Sequence, residues 1–213
     1  MLHKVLAIRN LSTTTYTLRL ERNDLSFKAG QCFNLGVKGS GVNREYSIYS
    51  GENDPYLEFL IKEVKQGTVS TSLRQVKIGE EINLHGPYGS FTIDPNQINQ
   101  GRFLFIGTGT GIAPFHSFVC SHPNLNHRII FGIRTLSEQY DLIDYDVSKI
   151  VCCISRERWK GFNGRVTSYL KEVSLDPKNI YYLCGNLKMI HNVYELLRES
   201  GVSGDQIFTE AFF

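Results

Sequence analysis

The pattern of apolar residues changes once along this chain of 213 residues, near Pro95, and that change restricts the possible folds more than any other feature. Before it, short runs of alternating β-branched and aromatic residues are separated by glycine-rich turns, which predicts antiparallel strands with one helical turn at about residues 69–75. After it, apolar runs alternate with polar or helical stretches, which is typical of a parallel sheet covered by helices. We therefore predict a closed antiparallel barrel or a sandwich, followed by an α/β domain.

The composition excludes several classes of protein. The chain has 23 Lys and Arg against 21 Asp and Glu, a net charge of +2, and 41% of its residues are hydrophobic. This balance is typical of a globular protein with a buried core. It argues against a disordered chain, a collagen-like repeat and a protein that coats nucleic acid.

The cysteines predict neither a metal site nor a disulfide framework. They form no CxxC pair, no zinc spacing and no 2Fe–2S spacing, and they number five: Cys32, Cys120, Cys152, Cys153 and Cys184. The N-terminal run is too short for a signal peptide, and no segment is long enough to cross a bilayer. We expect the protein to reside in a reducing cytoplasm, away from membranes and nucleic acids.

A glycine-rich loop lies between a predicted strand and a predicted helix that extends from Ala113 to about Cys120. Its glycines are Gly107, Gly109 and Gly111, and Ile112 occupies the place of the third glycine of a GxGxxG motif. Glycines there let the backbone approach a pyrophosphate closely, and the N-terminus of the following helix favours anions. A tight turn that needs positive φ is the alternative interpretation.

Eight motifs now occur in one order along nearly the whole chain: KAGQCFNLGV, REYSIYS, GTVSTSL, GTGTGIAPF, GIR, SRERWKGFNGR, CGNLKMI and TEAFF. Through them the chain resembles the ferredoxin–NADP reductase family, in particular its bacterial branch. The resemblance implies a Greek-key β-barrel that binds FAD over residues 1–95 and an α/β domain that binds NADP(H) over residues 96–213. It also implies a flavoenzyme that transfers electrons between NADPH and ferredoxin or flavodoxin by hydride transfer to flavin N5, and we expect a monomer.

The motif REYSIYS carries the expected flavin contacts. By resemblance, Arg44 binds the FAD pyrophosphate, Tyr46 packs on the isoalloxazine ring and Ser47 lies near N5. Alternation along a strand places Arg44 and Tyr46 on one face and Ser47 on the other. The alternative is an ordinary strand with an exposed arginine and a core tyrosine.

Two further segments are expected to contact FAD. GTVSTSL resembles the second pyrophosphate contact, in which backbone amides and the Ser70 hydroxyl form an anion nest over Gly67, Thr68, Val69, Ser70 and Thr71. A plain Ser/Thr N-cap is the alternative. Ile61 and Lys62 align with a strand whose backbone contacts the flavin, although they are equally compatible with barrel core.

The resemblance places NADP(H) on the second domain. Arg134, Arg156 and Arg165, with Ser155, would surround the 2′-phosphate, because guanidinium forks and a hydroxyl suit a phosphate dianion. No acidic residue lies between Val151 and Arg156 to favour NAD, although Glu157 follows directly. The alternative is a set of solvated surface arginines. The remaining expected contacts are Gly107, Thr108, Gly109, Thr110, Cys184, Gly185 and Met189.

The expected catalytic residues are Ser47, Cys184, Glu210 and Phe212. By resemblance, the Cys184 thiol lies beside nicotinamide C4, although a buried strand cysteine is usually an inert hydrophobe. Phe212 would cover the flavin, Glu210 would balance charge near it, and Phe213 would contact the FAD adenosine. Phe212 replaces the family's usual tyrosine. An aromatic pair that completes the core is the alternative.

Two other functions remain open. One is an NAD(P)H-dependent free-flavin or ferric reductase, whose flavin leaves as product. The other is a flavin- or nucleotide-binding module without catalysis, although the joint presence of Ser47, Cys184 and Glu210 argues against it.

Overall fold

The computed structural model describes residues 1–212, and its contacts divide the chain into two units. The first comprises Met1–Thr92 and Ala113–Ser121, and the second comprises Ile93–Ile112 and the chain from His122 onward. A single domain boundary after residue 95, as predicted, does not include the return of Ala113–Ser121 to the first unit. The division into residues 1–95 and 96–213 stays a prediction.

Among the described residues, the first unit contains one six-stranded antiparallel sheet. Its strands are β1 (Leu2–Asn10), β2 (Thr15–Glu21), β3 (Cys32–Val37), β4 (Arg44–Ser47), β5 (Tyr56–Lys62) and β6 (Glu81–Tyr88). Their order is β4-β3-β6-β1-β2-β5, and a bridge between Ile48 and Phe59 joins the two edges. The sheet therefore closes into a barrel, which confirms the predicted antiparallel fold.

Alternation along the strands builds the barrel core. On β2, Tyr16, Leu18 and Leu20 are fully buried and pack with other apolar side chains of the sheet. Helix α1 (Thr68–Gln75) contributes Val69 and Leu73 to the same core. The Tyr16 hydroxyl also donates a 2.6 Å hydrogen bond to the Ser70 carbonyl, which attaches α1 to the barrel.

Helix α2 (Ala113–Ser121) belongs to the first unit through contacts that local sequence does not reveal. The His116 ring stacks on Tyr49 with the centroids 3.8 Å apart, and its Nδ1 lies 2.6 Å from the Tyr49 carbonyl oxygen. The Ser117 hydroxyl donates to the Ser50 carbonyl at 2.7 Å. These buried polar contacts explain why the helix groups with the first unit.

The second unit contains, within the described residues, a six-stranded parallel sheet of order β10-β9-β8-β7-β11-β12. Helices α3 and α4 cover one face around a core that includes Ile106, Leu183 and Val193. This confirms the predicted parallel α/β fold. The elements are β7 (Phe103–Thr108), β8 (His127–Ile133), β9 (Ile150–Ile154), β10 (Phe162–Asn163), α3 (Val166–Glu172), β11 (Ile180–Asn186), α4 (Leu187–Glu199) and β12 (Ile207–Phe212).

Two structural features are absent from residues 1–212. None of the helices there has the length and apolar character needed to span a bilayer. No group of three or more His, Cys, Asp or Glu side chains is placed to hold a metal ion.

Candidate functional site

Strand β4 presents a cation and an aromatic ring on one face. Arg44 lies opposite Leu35, and Tyr46 lies opposite Phe33, in the antiparallel pairing with β3. Arg44 is exposed, whereas Tyr46 is half-buried and packs against the barrel core. Burial raises the pKa of Tyr46 to about 12, although the Arg44 charge opposes the rise. A neutral ring beside an exposed guanidinium suits a ligand that joins an aromatic system to a phosphate.

Ser47 follows on the opposite face of β4. It pairs with Cys32 in the register of β3 and β4 and is 4% exposed. Its predicted approach to flavin N5 stays a prediction. Ile61 on β5 is completely buried in the barrel core, so only its backbone is left for the expected flavin contact, and Lys62 beside it is half-buried.

Helix α1 begins with amides that no side chain caps. Its N-cap is Gly67, which makes no side-chain capping bond, so the Ser/Thr N-cap alternative is wrong. A Cβ on Gly67 would lie 3.0 Å from the Cβ of Val64, which shows how tightly this turn is packed. The first-turn N–H groups over Thr68, Val69 and Ser70 therefore offer donors to an anion.

The Ser70 hydroxyl contacts the loop that precedes α1. Ser70 is 6% exposed, and its Oγ accepts a 3.2 Å hydrogen bond from the Val64 amide. The hydroxyl oxygen therefore stabilises the loop before α1, and the predicted donation from Ser70 to a pyrophosphate stays a prediction. Thr71 lies half-buried one residue further along α1. With Arg44 and Tyr46, these uncapped amides give the first unit hydrogen-bond donors and an aromatic ring.

The glycine loop of the second unit combines open space with close packing. Gly109 adopts φ +57°, and no atom lies within 4 Å of the position a Cβ would occupy. Gly111 is the opposite, because its Cβ would lie 2.6 Å from the carbonyl carbon of Cys184 and 2.7 Å from the Cα of Gly185. Positive φ therefore explains Gly109, whereas close approach explains Gly111. The open space beside Gly109 leaves its backbone accessible to a ligand.

A pair of hydrogen bonds fixes the carboxyl ends of β7 and β11. The Asn186 amide donates to Thr108 Oγ1 at 3.1 Å, and Asn186 Oδ1 accepts from the Met189 amide at 3.2 Å. Gly185, at φ +122°, passes so close to Thr108 that a Cβ would lie 2.6 Å from its Oγ1. The carboxyl ends of neighbouring parallel strands are where open α/β sheets bind ligands. Sequence analysis did not identify the Thr108–Asn186 bond, since it joins residues 78 positions apart.

Cys184 and Glu210 lie side by side on β11 and β12. They are paired in the parallel register, and Asn186 pairs with Phe212 two positions later. Cys184 is fully buried, which raises the pKa of its thiol well above the usual range, and the Glu210 charge adds to the rise. The thiol is therefore neutral. Glu210 and Phe212 are half-buried, and the expected adenosine contact of Phe213 lies outside the described residues.

Three exposed arginines follow the ends of β8 and β9 and precede α3. They are Arg134, Arg156 and Arg165, and the Arg156 amide donates to the Arg134 carbonyl at 2.9 Å. The Ser155 hydroxyl donates to the Ile133 carbonyl at 3.2 Å, and its contact with a 2′-phosphate stays a prediction. That bond uses its proton within the strand ends, so the three guanidinium groups are the better candidates for holding a phosphate.

Two carboxylates accept hydrogen bonds from backbone amides close to these arginines in the sequence. Glu138 Oε2 accepts from the Arg134 amide at 2.7 Å, and Glu157 Oε2 accepts from the Leu136 amide at 2.8 Å. Glu157 is the acidic residue that directly follows Arg156. Its carboxylate joins two loops through the Leu136 amide. Neither contact could be predicted from the sequence, because the donors are backbone amides, which leave no residue-type pattern.

Comparisons with known proteins identify an FAD-binding domain and related reductases. The family model of an oxidoreductase FAD-binding domain matches residues 3–93. Ferredoxin–NADP reductase B from Sorangium cellulosum is 30% identical over 241 residues, which cover 98% of this chain and 96% of that protein.

Two further similarities extend the comparison. The toluate 1,2-dioxygenase electron transfer component from Pseudomonas putida is 29% identical over 228 residues, but this chain spans only 65% of its length. The crystal structure of a ferredoxin NADP+ reductase from Neisseria gonorrhoeae with bound FAD and NADP has a TM-score of 0.89 at 23% identity, and the match covers 100% of this chain and 98% of that one. The fold is therefore the same.

Proposed function

This chain belongs to the ferredoxin–NADP reductase family, and from that premise we propose that it transfers electrons between NADPH and a one-electron carrier, ferredoxin or flavodoxin. It is an oxidoreductase with an FAD-binding domain. The observation that carries the proposal is the loop at the end of β7, where Gly111 packs against β11 while Gly109 faces open space. A dinucleotide requires this combination, since its phosphates must approach the backbone closely.

The first unit supplies the groups that would hold FAD. The Arg44 guanidinium and the uncapped amides of α1 would bind the pyrophosphate, and the Tyr46 ring would pack on the isoalloxazine. FAD, when bound, accepts a two-electron hydride and releases electrons singly. Because burial raises the pKa of Tyr46 to about 12, its ring stays neutral and excludes water without adding charge.

The second unit supplies the groups that would hold NADPH. Backbone at Gly107–Thr110 would carry the pyrophosphate, and Arg134, Arg156 and Arg165 would bind the 2′-phosphate. The neutral Cys184 thiol would fill the space beside the nicotinamide without competing for its charge. Glu210 would balance charge there, and Phe212 would cover the flavin until nicotinamide displaces it.

The absorption spectrum of the purified protein tests the proposal. We expect a yellow protein that retains FAD through purification and is bleached by NADPH under anaerobic conditions. Bleaching should be reversed when oxidised ferredoxin or flavodoxin is added, and cytochrome c reduction should depend on that carrier. A colourless protein that binds FAD no tighter than about 10 µM would instead identify a free-flavin reductase.

A further inference from the structure

The segment between Arg156 and Arg165 is closed on itself by one side-chain amide. Asn163 Oδ1 accepts from the Trp159 amide at 2.9 Å. Asn163 Nδ2 donates to the Trp159 carbonyl at 2.9 Å and to the Gly161 carbonyl at 2.7 Å. The amide thus meets three backbone groups of the loop, with geometry typical of good hydrogen bonds.

Trp159 supports the same loop from its other side. Its indole Nε1 donates to the Phe162 carbonyl at 2.8 Å, and its ring covers Gly161, where a Cβ would lie 2.7 Å from Cε2. The Phe162 ring packs edge-on against Tyr169 of α3, with the centroids 5.1 Å apart. These contacts join the loop to itself and to the helix that Arg165 precedes.

The two ends of this loop are the two arginines. Arg156 precedes it and is bonded through its amide to the Arg134 carbonyl. Arg165 follows it as the N-cap of α3, one residue after Gly164, whose amide donates to Ile154 at 2.8 Å. Binding one phosphate through several arginine side chains costs side-chain entropy, and a well-held backbone between the arginines lowers the entropy that binding must supply.

We propose that Asn163 is a positioning residue for selectivity toward the 2′-phosphate. It holds the loop that sets the spacing of Arg156 and Arg165, and it carries no charge of its own. This inference rests on the proposed function, because it presumes that these arginines meet the 2′-phosphate. Trp159 has the same role through its indole N–H.

The test compares two nucleotides that differ in one phosphate. Calorimetry on the purified full-length holoprotein would measure binding of 2′,5′-ADP, which carries the 2′-phosphate, and of 5′-AMP, which lacks it. We expect Asn163→Ala to weaken 2′,5′-ADP about three- to tenfold and to leave 5′-AMP within about twofold. In turnover, KM for NADPH should rise by the same factor while kcat and KM for NADH stay unchanged.

A matched control and a second variant keep the test decisive. Asn96→Ala removes another exposed turn amide of the same unit, whose Nδ2 donates to Asp94 Oδ1 at 3.1 Å, and it should leave both affinities unchanged. If Asn163→Ala does not fold, Trp159→Phe keeps an aromatic side chain, loses the indole donor and should weaken 2′,5′-ADP by a smaller factor.

Three other binding results would each contradict a different part of the proposal. Wild-type protein that binds both nucleotides equally would overturn the NADP part of the proposed function, and this inference with it. Wild-type selectivity that survives in Asn163→Ala would overturn the positioning role alone. Equal weakening of both nucleotides would show that Asn163 supports the fold and does not set selectivity.

Discussion

Replacement of Gly111 by alanine should destabilise the second unit strongly. The added Cβ would lie 2.6 Å from the carbonyl carbon of Cys184 and 2.7 Å from the Cα of Gly185, whereas ordinary carbon contacts lie near 3.5–4.0 Å. About 1 Å must therefore be absorbed, and β11 cannot yield easily because β7 and β12 pair with it on both sides. Overpacking usually costs about 1–3 kcal/mol, and we expect about 3 because backbone meets backbone.

Gly109 provides the matched control in the same loop. Its Cβ position is open, so Gly109→Ala meets only the strain of φ +57°, which costs an L-residue about 1–2 kcal/mol. The lower entropy of the unfolded chain offsets about 0.4–1 kcal/mol of that cost. We therefore expect a net loss of about 1 kcal/mol for Gly109→Ala. The same entropy term acts on Gly111→Ala, so the two variants should differ by about 1–2 kcal/mol.

Urea unfolding followed by circular dichroism measures both losses of unfolding free energy. Nucleotide binding should fall more in Gly109→Ala than in Gly111→Ala, which is the reverse of the order for stability. The methyl group added at position 109 would enter the open space that a phosphate would use. Equal destabilisation by the two substitutions would refute the steric reasoning. It would mean that β11 yields at Cys184 and that close approach does not require glycine at position 111.

Three further predictions concern the site. Arg156→Ala should raise KM for NADPH about ten- to a hundredfold in steady-state assays and leave KM for NADH nearly unchanged, whereas equal effects would make Arg156 structural. Phe212→Ser should strengthen the flavin–nicotinamide charge-transfer band and relax the preference for NADPH; a lower Tm with an unchanged band would place Phe212 in the core. Burial raises the pKa of Cys184 well above its usual range and that of Cys153 to about 12. As the pH rises, the unfolded chain therefore loses these thiol protons before the folded protein does. The free energy of unfolding should fall above about pH 9. Cys184→Ala should flatten that decline in urea titrations, and an unchanged slope would contradict it.

Local pattern was enough to predict most of the fold. Strand β2 alternates buried Tyr16, Leu18 and Leu20 with residues of the other face, and that period can be read without knowing its neighbours. The glycine loop between β7 and α2 could also be predicted from the sequence alone. Helix α2 was predicted over the right residues. Its contacts with Tyr49 and Ser50 were not, because these residues lie more than sixty positions away in the chain.

The site was predictable in its residue types and less so in its contacts. Arg44 and the three arginines of the second unit are exposed and Tyr46 is half-buried, and their ligand contacts stay predictions. Ser70 and Ser155 carry the right hydroxyl, yet each bonds to the chain itself, to the Val64 amide and the Ile133 carbonyl. A hydroxyl satisfies whichever partner the backbone brings nearest, and residue type alone does not name that partner.

The sequence by itself determined where strands and helices form and which residue types gather at their ends, because hydrophobic period and glycine placement are properties of neighbouring residues. Tertiary structure alone decided which glycine is needed for close packing and which for open space. It also decided that the side-chain amide of Asn163, the last residue of β10, closes the loop between Arg156 and Arg165. The physical reason is that a steric contact or a hydrogen bond depends on which groups the folded backbone brings within about 3 Å.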